Sequence, residues 1–218
     1  MISTYEKMDR MYRIQRHIYD FTRKYYLLGR DVMLAGIIAD NAKKILEIGC
    51  GTGRNLIILS RKLPNAQLFG IDASSAMIKT AVSKTRAANI EKIKFACALA
   101  DDFSYSATFN EPTPFDTIFF SYSLSMIPDW QSALKNALDN LAGNGTLYIV
   151  DFYDFAALPD FFSRLLKRWL SIFDVSYREG MDSNLLSLND NFIRVEIQPL
   201  YNRYCFIAKV KKCLNSRL

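Results

Sequence analysis

The sequence predicts an α/β fold, a mostly parallel seven-stranded sheet with helices on both faces and an N-terminal helical cap. Three observations carry this. Short apolar runs alternate with helix-length segments from residue 44 to 150, the pattern of successive βαβ units. The first run opens directly onto glycines at every second position, Gly49, Gly51 and Gly53. Two further strand-like runs near the C-terminus flank a proline-containing turn, Pro199-Leu200-Tyr201-Asn202.

Residues 5–40 read as helical, with clustered aromatics and no proline. Ile45-Leu46-Glu47-Ile48 is the first strand, and a helix follows over 54–62, ended by Pro64-Asn65. Gln67 to Ile71 is a strand that stops at Asp72; Ser74 or Ser75 caps the next helix, which runs to about Ala88. Ile93 to Cys97 is a third strand. Phe115 to Phe120 is apolar on both sides of Asp116, as a strand covered on both faces requires. Asp129 to Leu141 reads as a helix ending at Gly143-Asn144-Gly145, and Thr146 to Val150 as the fifth strand. Phe161 to Phe173 reads as a helix, with closing strands over 192–197 and 204–210. Without repeats or low-complexity linkers, residues 1–218 are expected to form one domain: a cap over 1–43, a cofactor-binding half over 44–151 and an acceptor-side part over 152–218.

The 218 residues, half of them hydrophobic and 23% charged, suffice for a substantial core. No apolar run reaches the roughly 20 residues of a membrane span, and no signal-peptide core precedes the first charges. The expectation is a cytoplasmic chain able to work peripherally at the inner membrane face. Cys50, Cys97, Cys205 and Cys213 form no CxxC pair and His17 is the lone histidine, so no metal site is expected. A Cys–His nucleophile is disfavoured on the same ground. The net charge is +6, with Arg203, Lys209, Lys211, Lys212 and Arg217 following Tyr201 without an acid. Such charge suits an anionic lipid surface or a nucleic acid.

A glycine-rich turn between strand and helix lets backbone approach a ligand at the helix N-terminus. A dinucleotide fingerprint would need a third glycine at position 54, which is Arg54. Instead Glu47 precedes Gly49, Cys50, Gly51, Thr52 and Gly53. This Glu-x-Gly-x-Gly-x-Gly string resembles motif I of the Rossmann-like S-adenosylmethionine-dependent methyltransferases, a resemblance covering about residues 44–150. An acid near the cofactor's amino group is tolerable there, because no pyrophosphate has to be accommodated. The resemblance implies that Asp72, 19 residues after Gly53, accepts from the ribose hydroxyls, with Ala73 and Met77 beside it. It also implies an adenine-binding turn at Ala100-Asp101-Asp102, with Asp101 accepting from the adenine amino group and Asp102 offering its backbone N–H. Ala100 and Asp102 depart from the family's usual Gly and Ala. Carbonyls near Ser121 would meet the methionine amino group, and Tyr122 would lie beside the transferring methyl. The signatures of nucleic-acid base methylation, Asn/Asp-Pro-Pro-Tyr/Phe or a Pro-Cys at this strand end, are absent, so a nucleic-acid partner is not expected.

Residues 11–31, beginning Met11-Tyr12-Arg13, and Ser121-Tyr122-Ser123-Leu124-Ser125-Met126-Ile127-Pro128-Asp129-Trp130 resemble the methyltransferases of betaine-lipid synthesis. These convert diacylglyceryl-homoserine to its N,N,N-trimethyl form. The resemblance implies an amine-bearing lipid headgroup as acceptor; a soluble small molecule is the other enzyme reading, and RNA binding through the basic tail a third. Most N-terminal aromatics read as core packing, but Tyr19, one helical turn from Arg23, can touch the cofactor. Arg30 can pair with the methionine carboxylate or form a surface ion pair. The acceptor's proton can leave to Tyr122, to Asp129 or to solvent, and the faces of Tyr19 or Tyr122 suit a cationic product. The 161–170 segment, apolar at 161, 162, 165, 166, 169 and 170 and otherwise largely basic, either packs on the sheet or leans into anionic headgroups.

Overall fold

The computed structural model describes residues 27–157 and 180–213, together with positions 161, 164, 168 and 178. The elements are, in chain order, α1 (Arg30–Asp40), β1 (Lys44–Ile48), α2 (Arg54–Lys62), β2 (Gln67–Asp72), α3 (Ser75–Ala87), β3 (Ile93–Cys97), α4 (Tyr105–Phe109) and β4 (Phe115–Ser121). A 3-10 turn (Leu124–Met126), α5 (Trp130–Asp139), β5 (Leu141–Phe152), α6 (Met181–Leu186), β6 (Ile193–Leu200) and β7 (Cys205–Lys212) follow. Among the described residues seven strands form one sheet, ordered β3-β2-β1-β4-β5-β7-β6. The first five strands pair in parallel; β7 runs antiparallel to both β5 and β6. The expected fold class is thus observed. Strand order reverses between β1 and β4, the switch point where open α/β sheets bind ligands.

Two apolar layers cover the sheet because side chains alternate along each strand. Leu46, Ile48, Ile118, Phe120, Leu147 and Ile149 face α5, packing with Trp130 and Leu134. Ile45, Phe119, Tyr148 and Val150 face α1 and α2, packing with Met33, Leu34, Ile37, Leu56 and Leu59. Each such large side chain contributes about 1.5–3 kcal/mol on burial. Gly70 in β2 lets α2 sit close, since a Cβ there would lie 2.7 Å from Leu56 Cδ1 and 3.0 Å from Cys50 Sγ.

Several boundaries differ from expectation. Leu28 and Gly29 turn ahead of α1, with Gly29 at φ 79°, so the reading of one helix to residue 40 fails at its described end; residues 5–26 lie outside the described residues. Gly143-Asn144-Gly145 ends no helix. α5 stops at Asp139, and Leu141 already pairs with Phe115 before the register shifts to Thr117↔Thr146. Glycine is required at 145, where a Cβ would lie 2.9 Å from the Asp116 carbonyl. Pro199 lies inside β6, an edge strand that tolerates its missing N–H, so the turn moves to Tyr201, Asn202 and Arg203. All three are left-handed, φ 51°, 54° and 61°. An Arg203–Asp154 ion pair holds the turn, with the guanidinium 4.3 Å above the Tyr153 ring. The short helices α4 and α6 are additions to the expected elements. Of the 161–173 helix, positions 161, 164 and 168 are helical and exposed.

Candidate active site

The carboxyl ends of β1, β2 and β4 enclose a cavity of about 280 Å³. Its first wall is the loop that leaves β1. Gly49, Gly51 and Gly53 all have left-handed φ, 72°, 52° and 76°, which is why glycine recurs there. The amides of Gly49 and Cys50 both donate to the Ile71 carbonyl at 2.9 Å, tying the loop to the end of β2. The Asp72 carboxylate sits between two backbone donors, Gly51 N–H at 2.8 Å and Ser74 N–H at 2.9 Å. Two fixed amides orient it at the cavity's edge.

The second wall is the chain leaving β4. Ser123 Oγ donates to the Ile48 carbonyl at 2.7 Å, and a Cβ on Gly49 would lie 2.4 Å from Ser123 Cβ. The loop glycine and this serine are therefore a matched pair. Met126, Ile127, Pro128 and Asp129 continue the wall. Below, Ala98 to Asp101 form the floor, pinned from α5 by Asn136, whose Nδ2 donates to the carbonyls of Ala100 and Phe103, both at 3.1 Å.

Of the residues expected at the site, Gly49, Gly51, Asp72, Ala73, Met77, Ala100, Asp101, Tyr122 and Asp129 line this cavity. Ser123, Leu99, Met126 and Ile127 join them without having been singled out. Ser123 had a signal in the sequence: a small residue must follow a strand that faces the loop's first glycine.

Other expected residues stand outside this lining. Glu47 does not line the cavity; strand alternation turns it to the α2 face, where Oε1 accepts from Asn55 Nδ2 at 2.7 Å. Cys50 is buried beneath the loop, and burial, followed by the nearby Asp72 and Glu47 charges, pushes its thiol well up, so it is an inert packing group. Gly53 serves close packing, its Cβ position lying 3.2 Å from both Ala81 and Phe95. The Asp102 amide is turned into its own bend toward the Leu99 carbonyl, 3.3 Å away, rather than presented to a ligand. Ser121 lies within β4 outside the lining; its Oγ is buried with no hydrogen-bond partner among the described residues. Arg30 is buried in the first turn of α1, where Nε donates to the Leu27 carbonyl at 3.1 Å, and it does not reach the lining. Tyr19 lies outside the described residues.

Neither expected proton acceptor is poised as a base. The Tyr122 hydroxyl donates to the Leu28 carbonyl at 2.5 Å, and the ring packs edge-on to Phe152 at 4.7 Å. Burial raises its pKa well above that of free tyrosine, so it stays protonated. Its left-handed backbone, φ 55°, is what swings the ring into this crevice. Asp129 caps α5 by accepting from the Ser132 N–H at 3.1 Å, and its hydrogen bonds to Ser132 hold its pKa below the ordinary 3.8. A capped, acidified carboxylate is a weak base.

A family profile described as a methyltransferase domain matches residues 39–181, a stretch that holds all five parallel strands and the cavity. The chain belongs to this methyltransferase-domain family. Curated relatives agree at the family level. A malonyl-[acyl-carrier protein] O-methyltransferase of Bacillus cytotoxicus is 28% identical over 180 residues, 77% of this chain and 56% of the relative. A trans-aconitate 2-methyltransferase of Escherichia coli O1:K1 / APEC is 30% identical over 120 residues, 54% of this chain and 42% of the relative. The chain thus spans about half the length of the curated relatives it matches. Among solved structures, the plantazolicin methyltransferase BpumL, in complex with a monoazolic desmethylPZN analog and SAH, superposes with a TM-score of 0.71. It is 18% identical, covering 91% of this chain and 89% of that one, a likeness of fold.

The methyltransferase domain's cavity suits the expected cofactor, S-adenosylmethionine. The glycine loop offers space at the helix N-terminus for a zwitterion, Asp72 is oriented toward the cavity for a ribose diol, and Ile71, Met77 and Leu99 provide an apolar slot for a purine. Among the described residues no cluster of His, Cys, Asp and Glu could hold a metal ion.

Proposed function

We propose that this methyltransferase domain uses S-adenosylmethionine to methylate an amine, that of a lipid headgroup of the diacylglyceryl-homoserine class. One observation carries the amine assignment. The charged side chains among the described lining residues are Asp72, Asp101 and Asp129, all acids, with no lysine or arginine. A malonyl or aconitate carboxylate would meet only like charge there, whereas an amine and its quaternised product gain from it. The bound cofactor supplies an electrophilic methyl on a cationic sulfur. The chain's own work is then alignment and exclusion of water by the apolar walls. Because the Tyr122 hydroxyl is committed to Leu28, the acceptor sheds its proton to solvent before attack.

The lipid part rests on the surface and on the betaine-lipid resemblance. Phe161 is 68% exposed, and Arg164 and Arg168 are exposed at helical spacing from it. An aromatic beside arginines suits an anionic interface, about 1 kcal/mol per basic residue. Among the described residues no helix is long and apolar enough to cross a membrane. The basic C-terminal strand is partly spent inside the fold, with Lys209 on Asp40 and Lys212 on the Leu141 carbonyl, which disfavours an RNA partner. A soluble acceptor is the second reading, favoured by the names of the curated relatives.

Incubation with methyl-labelled cofactor and a crude membrane-lipid extract tests the proposal. Label is expected in an amine-bearing lipid in the organic phase. Label confined to water-soluble product would transfer the assignment to the second reading.

A further inference from the structure

Outside the expected site residues, one buried carboxylate stands behind the second wall. Asp151, in β5, is fully buried; Oδ2 accepts from Ser125 N–H at 2.9 Å and Oδ1 from Ser125 Oγ at 2.7 Å and from the Phe152 N–H at 2.8 Å. On the other side of the same turn, Arg178 Nε donates to the Ser125 carbonyl at 3.1 Å and its NH2 to the Ile127 carbonyl at 3.4 Å. Ser125 is thus gripped at its amide, hydroxyl and carbonyl by two opposite charges arriving from different parts of the chain. The residues immediately after it, Met126, Ile127, Pro128 and Asp129, are the cavity's second wall.

We infer that Asp151 and Arg178 are positioning residues, a charged clasp through Ser125 that holds the 126–129 wall where the cofactor needs it. The inference rests on the cavity being the S-adenosylmethionine pocket. A purely structural buried carboxylate would sit anywhere in the core; this one holds a segment whose only continuation is the pocket wall. Arg178 belongs to the part of the chain after β5, so the clasp joins that part to the pocket.

Burial raises the Asp151 carboxyl to about 6, against the lowering pull of Ser125, the Phe152 amide and Arg178. The other titratable groups that feel it are Tyr122 and Cys205, both raised and both neutral in this range. Protonating Asp151 removes the charge toward which Ser125 Oγ, Ser125 N–H and the Phe152 N–H donate and which steadies Arg178. The sign for stability runs the other way. A carboxyl raised above its unfolded 3.8 binds its proton more tightly in the fold, so its contribution to stability grows as pH falls through about 6. Affinity for the pocket ligand and stability contributed by this group should therefore move in opposite directions.

Calorimetric binding of S-adenosylhomocysteine from pH 5 to 7.5, alongside thermal melts, tests this. The parent's affinity should fall roughly tenfold or more on acidification, the size of a charged hydrogen bond left unmade. Asp151→Asn should bind at pH 7.5 as weakly as the parent does at pH 5 and show no step. Arg178→Met should weaken binding and Arg178→Lys restore part of it. His17→Gln, which removes the lone histidine of the sequence, should keep the step. A parent affinity flat across the range, a step that survives Asp151→Asn, or Arg178→Met binding like the parent would overturn the clasp while leaving the pocket assignment standing. If the folded parent binds no S-adenosylhomocysteine at all, both fall together.

Discussion

The two walls of the cavity are held by different physics. The wall between β1 and β2 is largely backbone: three left-handed glycines, two amides sharing the Ile71 carbonyl, and a carboxylate that accepts from two main-chain N–H groups. The wall after β4 is held by side chains: Tyr122 on Leu28, Ser123 on Ile48, Ser125 between Asp151 and Arg178. Backbone architecture admits few residue types, so the first wall is intolerant of substitution. The second can be loosened one hydrogen bond at a time.

The contrast breaks most sharply at the loop. Gly51→Val should abolish S-adenosylhomocysteine binding, since a β-branched residue opposes φ 52° and fills the cavity edge. Calorimetry on the folded variant checks this, and retained binding would place the cofactor elsewhere. Asp72→Ala should weaken binding by about 1–3 kcal/mol, because it also leaves the Gly51 and Ser74 amides without their acceptor. An unchanged isotherm would remove Asp72 from the ribose role.

Across the cavity the effects shrink. Tyr122→Phe should lower stability by about 0.5–1.5 kcal/mol in denaturant melts and leave the pH profile of methyl transfer unmoved. A large fall in turnover with intact cofactor binding would restore Tyr122 as a proton acceptor. Asp129→Asn should change least, with a small drop in melting temperature at neutral pH. The sign follows from its lowered pKa: the charged cap stabilises above the ordinary 3.8 and loses that benefit as pH falls below it, so parent and variant melts should converge in acid. If the variant instead loses affinity for the amine product, Asp129 contacts the acceptor.

Legibility in the sequence divides along the same line. The β1 loop and Asp72 could be read because their chemistry is local: a strand, alternate glycines and an acid at the next strand end belong to one βαβ unit. The helix over 54–62 and the strand over 93–97 were likewise readable from apolar runs and their punctuation. Glu47 shows where local reading stops. Its place in the motif suggested a ligand contact, and the pleat of β1 turned it toward Asn55 instead. The hydrogen bond from the Tyr122 hydroxyl to the Leu28 carbonyl is likewise one that sequence spacing does not reveal.

By itself the sequence determined the alternation of strands and helices from β1 to β5, the parallel pairing that follows from it, and the glycine loop leading toward Asp72, because periodicity and backbone conformation are properties of neighbouring residues. Only the tertiary structure decided how the second wall is held. Leu28 and Tyr122 stand 94 positions apart, Ile48 and Ser123 75, Ser125 and Arg178 53, and Ser125 and Asp151 26. Such pairs form when strands far apart in sequence become neighbours in the sheet, and pairing across that distance leaves no periodic trace in the chain.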